Sequence, residues 1–285
     1  MKRILVTGGN GQLATVLKLA RQYSEHSFSF IDRSTLDLTS FDQVKSYLEN
    51  NPFDYIVNCA AFTAVDLAEE QMGLAYKVNE EVVEILAHEA NRQDATLIHI
   101  STDFVFPGNL NRPLSESDPT APLSVYGKSK LAGEKAVKTH CQKHFVIRTS
   151  WLYSALGKNF LKTILRLSET KDKLGIVYDQ VGTPTYAPDL AEAILTVVES
   201  DSQAYGIYHF SNEGVCSWYD FAVEIKHQFN LKMEISPILT EEYPLPANRP
   251  DYSVMSKNKL KKEFGVSIPH WREGLVRCHK ALGNG

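Results

Sequence analysis

Thr7-Gly8-Gly9-Asn10-Gly11-Gln12-Leu13-Ala14 decides how the rest of the chain is read. It follows Lys2 to Thr7, a short β-branched apolar run that stops at glycines, as a strand buried on both faces of a parallel sheet does. A helix is expected after it. Gly8, Gly11 and Ala14 have the spacing of a loose glycine fingerprint, with Ala14 where a small residue allows close helix packing. Glycine lets backbone amides approach a pyrophosphate at a helix N-terminus, where the aligned peptide dipoles favour negative charge. A glycine turn alone is weak evidence. Its place between a strand and a helix is the context that the motif requires.

The next strand, Ser27 to Ile31, ends in Asp32-Arg33, about twenty residues beyond the glycines. In a dinucleotide fold this position faces the adenosine ribose, where a carboxylate accepts from the 2′-OH and an arginine tolerates a 2′-phosphate. Both are present, so NADP and NAD are each accommodated, and the permanent cation of Arg33 leans the choice to NADPH. Asp37 and Leu38 border the adenine region, and the strand Asp54 to Ala61 runs out in Ala60-Ala61-Phe62, close beneath a cofactor. Asp66 and Glu69 read as capping charges on the following helix. Asn79 falls within a helical run from Leu74 through His88.

Thr96 to Ile100 is a further strand and delivers Ser101-Thr102-Asp103 at its C-terminal end, where open α/β sheets collect their ligands. Tyr126-Gly127-Lys128-Ser129-Lys130 opens a helix, placing Tyr126 and Lys130 one turn apart on one face. An ammonium there is expected to bring the phenol down from its usual value near ~10 toward neutrality, making a proton donor for carbonyl reduction. Thr102 is placed to hold a substrate carbonyl oxygen and pair with the Tyr126 hydroxyl. The Pro-, Ser- and Asn-rich stretch from 106 to 122 reads as a long surface loop able to close over substrate.

The pattern after the strand His144 to Thr149 is less regular. Trp151 suits either an apolar sugar face or a core, and Arg249 either a substrate diphosphate or an ordinary surface. The expected architecture is α/β: a Rossmann-like doubly wound parallel sheet with a smaller mixed α/β substrate-binding domain. Residues 1–152, with a return segment at about 174–210, form the first unit, and about 153–173 with 211–285 the second.

Bulk properties point to small-molecule work. At 285 residues, 43% hydrophobic, 22% charged and net charge −4, the chain offers no electrostatic basis for binding nucleic acid or a membrane surface. Its four cysteines are far apart, and no CxxC pair or histidine cluster at ligand spacing indicates a metal site. They read as reduced thiols in a cytoplasmic protein, with no signal peptide and no membrane span.

Laid side by side, these residues resemble those of the extended short-chain dehydrogenase/reductases, and within them the dTDP-4-dehydrorhamnose reductases. The resemblance runs nearly the whole length. It rests on Thr7-Gly8-x-x-Gly11-Gln12-Leu13, Asn58-x-Ala60-Ala61-x-Thr63-x-Val65-Asp66, Ser101-Thr102-Asp103-x-Val105-Phe106 and Tyr126-Gly127-x-Ser129-Lys130, then Arg148-Thr149-Ser150-Trp151, Gly157-x-Asn159-Phe160, Asp179-Gln180-x-Gly182-x-Pro184-Thr185 and Arg249-Pro250. It implies NAD(P)H-dependent reduction of the C4 ketone of a dTDP-linked 4-keto-6-deoxyhexose. Tyr126 would be the proton donor, Lys130 its activator and a ribose ligand, and Thr102 the orienting hydroxyl. Asp103 and Trp151 match substrate-contacting positions. Gly11, Gln12, Leu13, Asp32, Asp37, Leu38, Ala60, Ala61 and Phe62 match cofactor-binding stretches, and Asn79 resembles the fourth member of the superfamily's catalytic tetrad.

Phe104 and Pro107 depart from the common tyrosine and aspartate, which touches loop geometry rather than chemistry. Some relatives pair as magnesium-bridged homodimers, but Ala14 to Lys18 has no carboxylate, so no metal is expected and a homodimer is left open. The competing readings are a sugar-nucleotide epimerase or dehydratase, and a non-catalytic regulatory subunit like that of methionine adenosyltransferase.

Overall fold

The computed structural model describes residues 1–21 and 24–283. In chain order the first half holds β1 (Arg3–Thr7), α1 (Gln12–Ala20), β2 (Ser27–Phe30), α2 (Phe41–Asn50), β3 (Tyr55–Asn58), α3 (Val65–Glu70), α4 (Met72–Tyr76), α5 (Val82–Arg92), β4 (Thr96–Thr102), α6 (Val125–His140) and β5 (His144–Thr149). The second half continues with β6 (Leu152–Tyr153), α7 (Phe160–Ser168), β7 (Lys173–Val177), β8 (Val181–Gly182), β9 (Thr185–Tyr186), α8 (Ala187–Ser200), β10 (Gly206–Phe210), β11 (Cys216–Ser217), α9 (Trp218–Gln228), β12 (Glu234–Ile238), α10 (Asn258–Phe264) and α11 (Trp271–Gly283).

Six strands form an all-parallel sheet in the order β2-β1-β3-β4-β5-β10. Alternate residues of each strand enter opposite layers, which is why these strands read as unbroken apolar runs. Ile4, Val6, Val57, Ile98 and Phe145 join α1 and α8 in one core. Leu5, Ile56, Leu97 and Val146 join α2, α5 and Val137 of α6 in the other. From β1 the chain moves outward to β2 and then returns to β3 on the opposite side. The crevice of such a sheet therefore opens at the C-terminal ends of β1 and β3.

The second lobe packs around its own core of Tyr153, Leu161, Phe221, Ile225, Trp271 and their neighbours. Its α9 starts on a capping box in which Ser217 and Asp220 satisfy each other's backbone N–H groups. The return to the main sheet begins later than 174. Strand β7 pairs in parallel with β12, Lys173 opposite Glu234, and only α8 and β10 rejoin the large sheet. Helix α10 departs from the expected division as well, since Leu260 is buried in the core beneath α1 and α8.

The stretch from 106 to 122 is anchored rather than free to close. Leu114 is buried with Val105, Phe106 and Met255, its N–H donates to Val254 O at 2.8 Å, and its own carbonyl accepts from Ser256 N–H at 2.8 Å. Gly108, at φ +80°, lies so close to Pro250 that a Cβ would come within 2.6 Å of that residue.

Candidate active site

The glycine turn closes tightly over the end of β1. Gly8 has φ +68°, and a Cβ on it would meet Ala60 N at 2.9 Å, so the turn and the loop after β3 lie backbone to backbone. Gly11 caps α1 without a side chain. The first helical bond is Thr15 N–H to Gly11 O at 2.9 Å, which leaves the amides of Gln12, Leu13 and Ala14 directed out of the helix end. That is a cradle for a pyrophosphate. Leu13 and Gln12 offer it amides rather than side chains. Leu13 is buried in the core, whereas the Gln12 amide donates to Leu152 O (3.1 Å) and accepts from Asn159 Nδ2 (2.7 Å), tying the turn to the second lobe.

Asp32 first builds its own loop. Its Oδ1 accepts from the amides of Ser34 and Thr35 and from the Ser34 hydroxyl, at 2.6 to 3.1 Å, while Oδ2 accepts from Asn10 Nδ2 at 2.7 Å. These donors, the Ser34 hydroxyl foremost, hold the carboxylate down at about 2. Arg33 is exposed at the rim and stands 3.7 Å from Asp37. Asp37 accepts from the Thr39 amide (2.9 Å) and hydroxyl (2.8 Å), and the amide foremost lowers its pKa.

Ser124 caps α6 by accepting from Gly127 N–H at 3.2 Å. This delivers Tyr126 to the end of β4, where the phenol is buried, edge-on to Phe104 at 5.5 Å and within hydrogen-bonding reach of the Thr102 hydroxyl. The expected acidification by Lys130 does not occur here. Burial pushes the Tyr126 phenol up to about 12, Thr102 opposes that shift, and Asp103 adds to it. The lysine points elsewhere: its Nζ donates to Ile100 O at 2.7 Å and lies 3.3 Å from His99 Nε2. Tyr126 is thus a protonated phenol at neutral pH, the form that a proton donor requires.

A buried chain of polar groups leads away from Lys130. Asn58 Oδ1 accepts from Thr7 Oγ1 (2.6 Å) and Ala60 N–H (3.2 Å), so its amide nitrogen must be the end that faces His99 Nδ1 at 3.0 Å. Nδ1 therefore accepts, and the imidazole proton sits on Nε2, aimed at Lys130. This arrangement suits a neutral amine. Burial lowers Lys130 to about 8 and holds His99 well below the usual imidazole range.

Asn79 is no incidental helix residue. It occupies a single π-turn at Lys77–Glu81 between α4 and α5, accepts from Phe62 N–H (2.8 Å), and donates to Phe62 O (3.1 Å) and Ser129 Oγ (3.0 Å). The Ala60-Ala61-Phe62 loop is clamped to α6 by this one amide. Glu69 does not cap its own helix but accepts from Val125 N–H at the start of α6 (2.8 Å). Asp66 likewise does not act as a cap and forms a two-pronged pair with Arg249 at 2.7 and 3.1 Å.

Asp103 is buried and accepts from the Thr102 hydroxyl at 3.1 Å, but its Oδ2 has no hydrogen-bond partner among the described residues. Burial raises this carboxyl to about 6. An orphaned acceptor beside the Tyr126 phenol suits a ligand hydroxyl.

Trp151 sits at φ +46° and stacks on Trp218, with ring centroids 3.6 Å apart and 10° between planes. It is Trp218 that lines a cavity of about 760 Å³ in the second lobe, with Phe160, Gln180, Leu245 and Arg249 on its walls. Sequence reading does not single out Trp218, because nothing in a helix start reveals which lobe its ring will face.

The family model described as the RmlD substrate binding domain matches residues 1–284. The chain belongs to the RmlD family. Among curated relatives, the spore coat polysaccharide biosynthesis protein SpsK of Bacillus subtilis is 42% identical, with 96% of each chain covered. The dTDP-4-dehydrorhamnose reductase of Escherichia coli K12 is 38% identical, over 98% of this chain and 97% of that one. Among solved structures, a dTDP-4-dehydrorhamnose reductase from Clostridium acetobutylicum superposes with a TM-score of 0.95 at 40% identity, covering 99% of both chains. The Bacillus anthracis dTDP-4-dehydrorhamnose reductase, solved with NADP, gives a TM-score of 0.94 at 38% identity over 98% of this chain and 99% of that one. A UDP-glucose 4-epimerase from Thermus thermophilus, at 18% identity and a TM-score of 0.83, shares the fold alone.

Within this RmlD-family site the structure brings together Gly8, Gly11, Ala60, Phe62, Thr102, Asp103, Tyr126 and Lys130. Trp151 stands behind Trp218, and Arg249 is already paired. His99 is the residue that motif reading passed over, while Asn58 and Ser129 stood in quoted motifs with no role of their own. All three lie on buried faces of recognised elements and look like ordinary core positions until their partners are known.

Proposed function

We propose that this RmlD-family chain reduces the C4 ketone of dTDP-6-deoxy-L-lyxo-4-hexulose to give dTDP-L-rhamnose, with NADPH as the favoured donor. The observation that carries the reading is the protonated, buried Tyr126 phenol, with Thr102 beside it, at the sheet edge where the amides of the glycine turn point outward. The names of the relatives support the same substrate, and the NADP held by the Bacillus anthracis protein supports the same cofactor.

Gly8, Gly11 and the amides of Gln12 and Leu13 would hold the pyrophosphate, Asp32 and Arg33 the adenosine ribose, and Lys130 the nicotinamide ribose. A bound nicotinamide supplies the hydride. Thr102 orients the ketone oxygen toward Tyr126, and the phenol gives up its proton to that oxygen as negative charge develops there. The orphaned Asp103 oxygen accepts from a sugar hydroxyl, fixing which carbon faces the cofactor. The aromatic walls of the second-lobe cavity, Trp218 and Phe160, suit a thymine ring and sugar. Glu69, Asn79 and the Asp66–Arg249 pair hold α6, the Phe62 loop and the C-terminal segment in register around this site.

The test is NADPH oxidation by the purified protein against dTDP-, UDP- and GDP-linked 4-keto-6-deoxy sugars, with the product stereochemistry read by NMR. Turnover restricted to the dTDP-linked lyxo ketone, yielding rhamnose, is the expected result. An epimerised ketone without net oxidation of NADPH would assign the chain to the epimerase class instead.

A further inference from the structure

Glu84 and His88, one turn apart on α5, meet His140, the last residue of α6, at the protein surface. Glu84 Oε1 lies 3.9 Å from His88 Nε2 and 3.5 Å from His140 Nε2. The two imidazoles are tilted by 31° with centroids 4.0 Å apart, and the Nε2 of each approaches the one carboxylate oxygen. No histidine cluster is visible along the sequence because parallel packing of α5 on α6 creates it. Asn79 meets Ser129 near the active site, and farther along the same pair of helices Glu84 and His88 meet His140.

We propose that Glu84, His88 and His140 form a site for a late first-row divalent cation, with zinc as its representative. The three ligand atoms lie within 4.8 Å of one another. A point between them sits roughly 2.0–2.5 Å from each, against ~2.0–2.1 Å for a zinc–nitrogen bond, so small side-chain adjustments complete the coordination. Two imidazole nitrogens and one carboxylate oxygen suit zinc, copper or nickel better than magnesium or calcium, and a fourth position is left to water. Glu84 has no lysine or arginine within ion-pair distance among the described residues, whereas nearby Glu89 is paired with Arg92 at 2.7 Å.

Lys130 lies ten residues, about 15 Å of helix, from His140. The cation therefore acts on stability, by linking α5 to α6, rather than on the reaction.

The experiment uses tag-free, metal-stripped protein dialysed against zinc chloride, with bound metal quantified and thermal unfolding followed with and without EDTA. Wild type is expected to hold one equivalent of zinc and to melt several degrees higher with it, because a cation that binds only the folded state stabilises it by mass action. With Co²⁺ in place of zinc, visible d–d bands should report nitrogen and oxygen ligation. His140→Ala, and His88→Ala with Glu84→Gln, should lose the bound equivalent, the bands and the thermal shift, while melting as wild type does in EDTA. If wild type takes up no zinc, or if the variants take up as much, the three side chains are an ordinary surface cluster only and the proposal fails.

Discussion

Lys130 and His99 face each other, nitrogen to nitrogen, at 3.3 Å inside the protein, with the imidazole proton directed at the amine. Lys130 is buried and lowered to about 8 from its ordinary 10.5. The unfolded chain therefore binds more protons than the folded one between those values, so Lys130 makes stability rise with pH across that window and adds no slope below it. The gain is on the order of a few kcal/mol. Lys130→Met should remove this slope relative to wild type. His99→Gln, which can turn an oxygen toward the ammonium, should raise the lysine pKa and reduce the slope. Urea midpoints measured at pH 7.5 and 10 decide it: a wild-type slope kept by Lys130→Met would contradict the lowered lysine, and one kept by His99→Gln would contradict the tautomer assigned to His99.

Asp103 carries a buried carboxyl raised to about 6 with one unpartnered oxygen. The folded chain holds this proton more tightly than the unfolded chain does, so Asp103 makes stability fall as pH rises from 3.8 to about 6. Asp103→Asn should abolish that fall. In catalysis the ionised oxygen is the useful one, so wild-type KM for the sugar nucleotide should rise as pH drops below about 6. The asparagine variant should have a high KM at every pH, by roughly tenfold or more. A wild-type KM that does not change between pH 5 and 7.5 would remove Asp103 from the substrate contacts.

Much of the sheet was legible from local pattern, because Ile4, Leu5 and Val6 must all be apolar when both faces are covered and Gly8 must be glycine to lie against Ala60. Thr102, Tyr126 and Lys130 were legible for the same reason: a strand end and a helix start fix where they go. What failed depended on distant partners. The carbonyl of Ile100 and the ring of His99 draw Lys130 away from the phenol, and Arg249 draws Asp66 away from its helix end, contacts that spacing does not encode. The second-lobe boundary failed because β7 has the same apolar run whether it joins the large sheet or pairs with β12.

Asn79 offers a test of the clamp between the two halves of the site. Asn79→Ala leaves the Phe62 N–H without its acceptor and removes a buried donor to Ser129, a loss of about 1–3 kcal/mol in unfolding free energy. Because Phe62 follows the alanines proposed to lie beneath the cofactor, NADPH affinity should weaken with it. Chemical denaturation and NADPH fluorescence titration read the two effects. Lost stability with unchanged NADPH affinity would make Asn79 a purely structural residue.

Arg33 is exposed at the rim, held only loosely toward Asp37, while Asp32 is engaged by Asn10, Ser34 and Thr35. The arginine is therefore the group free to meet a 2′-phosphate. Arg33→Ser should raise KM for NADPH by roughly tenfold while moving KM for NADH little. Asp32→Ala, by undoing the turn that positions Asn10, should weaken both cofactors. Steady-state kinetics with each nucleotide separate these outcomes, and an equal effect of Arg33→Ser on both would place the 2′-phosphate elsewhere.

Tyr126 is protonated, buried and within reach of Thr102, and those three properties define what its removal should do. Tyr126→Phe keeps the ring that packs edge-on against Phe104 and deletes only the hydroxyl, so the fold and the cofactor cradle should be unchanged. The reaction loses its proton source at the ketone oxygen, which is expected to lower kcat by about 10²–10⁴. Thr102→Val should cost less, since it leaves the donor in place and removes only its orienting partner. The distinguishing measurement is kcat alongside NADPH affinity from direct titration. Because solvent reaches the phenol poorly, the residual activity of Tyr126→Phe should also lose whatever solvent isotope effect the wild-type proton transfer shows. Full turnover in the phenylalanine variant would mean that another group supplies the proton and would overturn the assignment of this helix start as the catalytic centre.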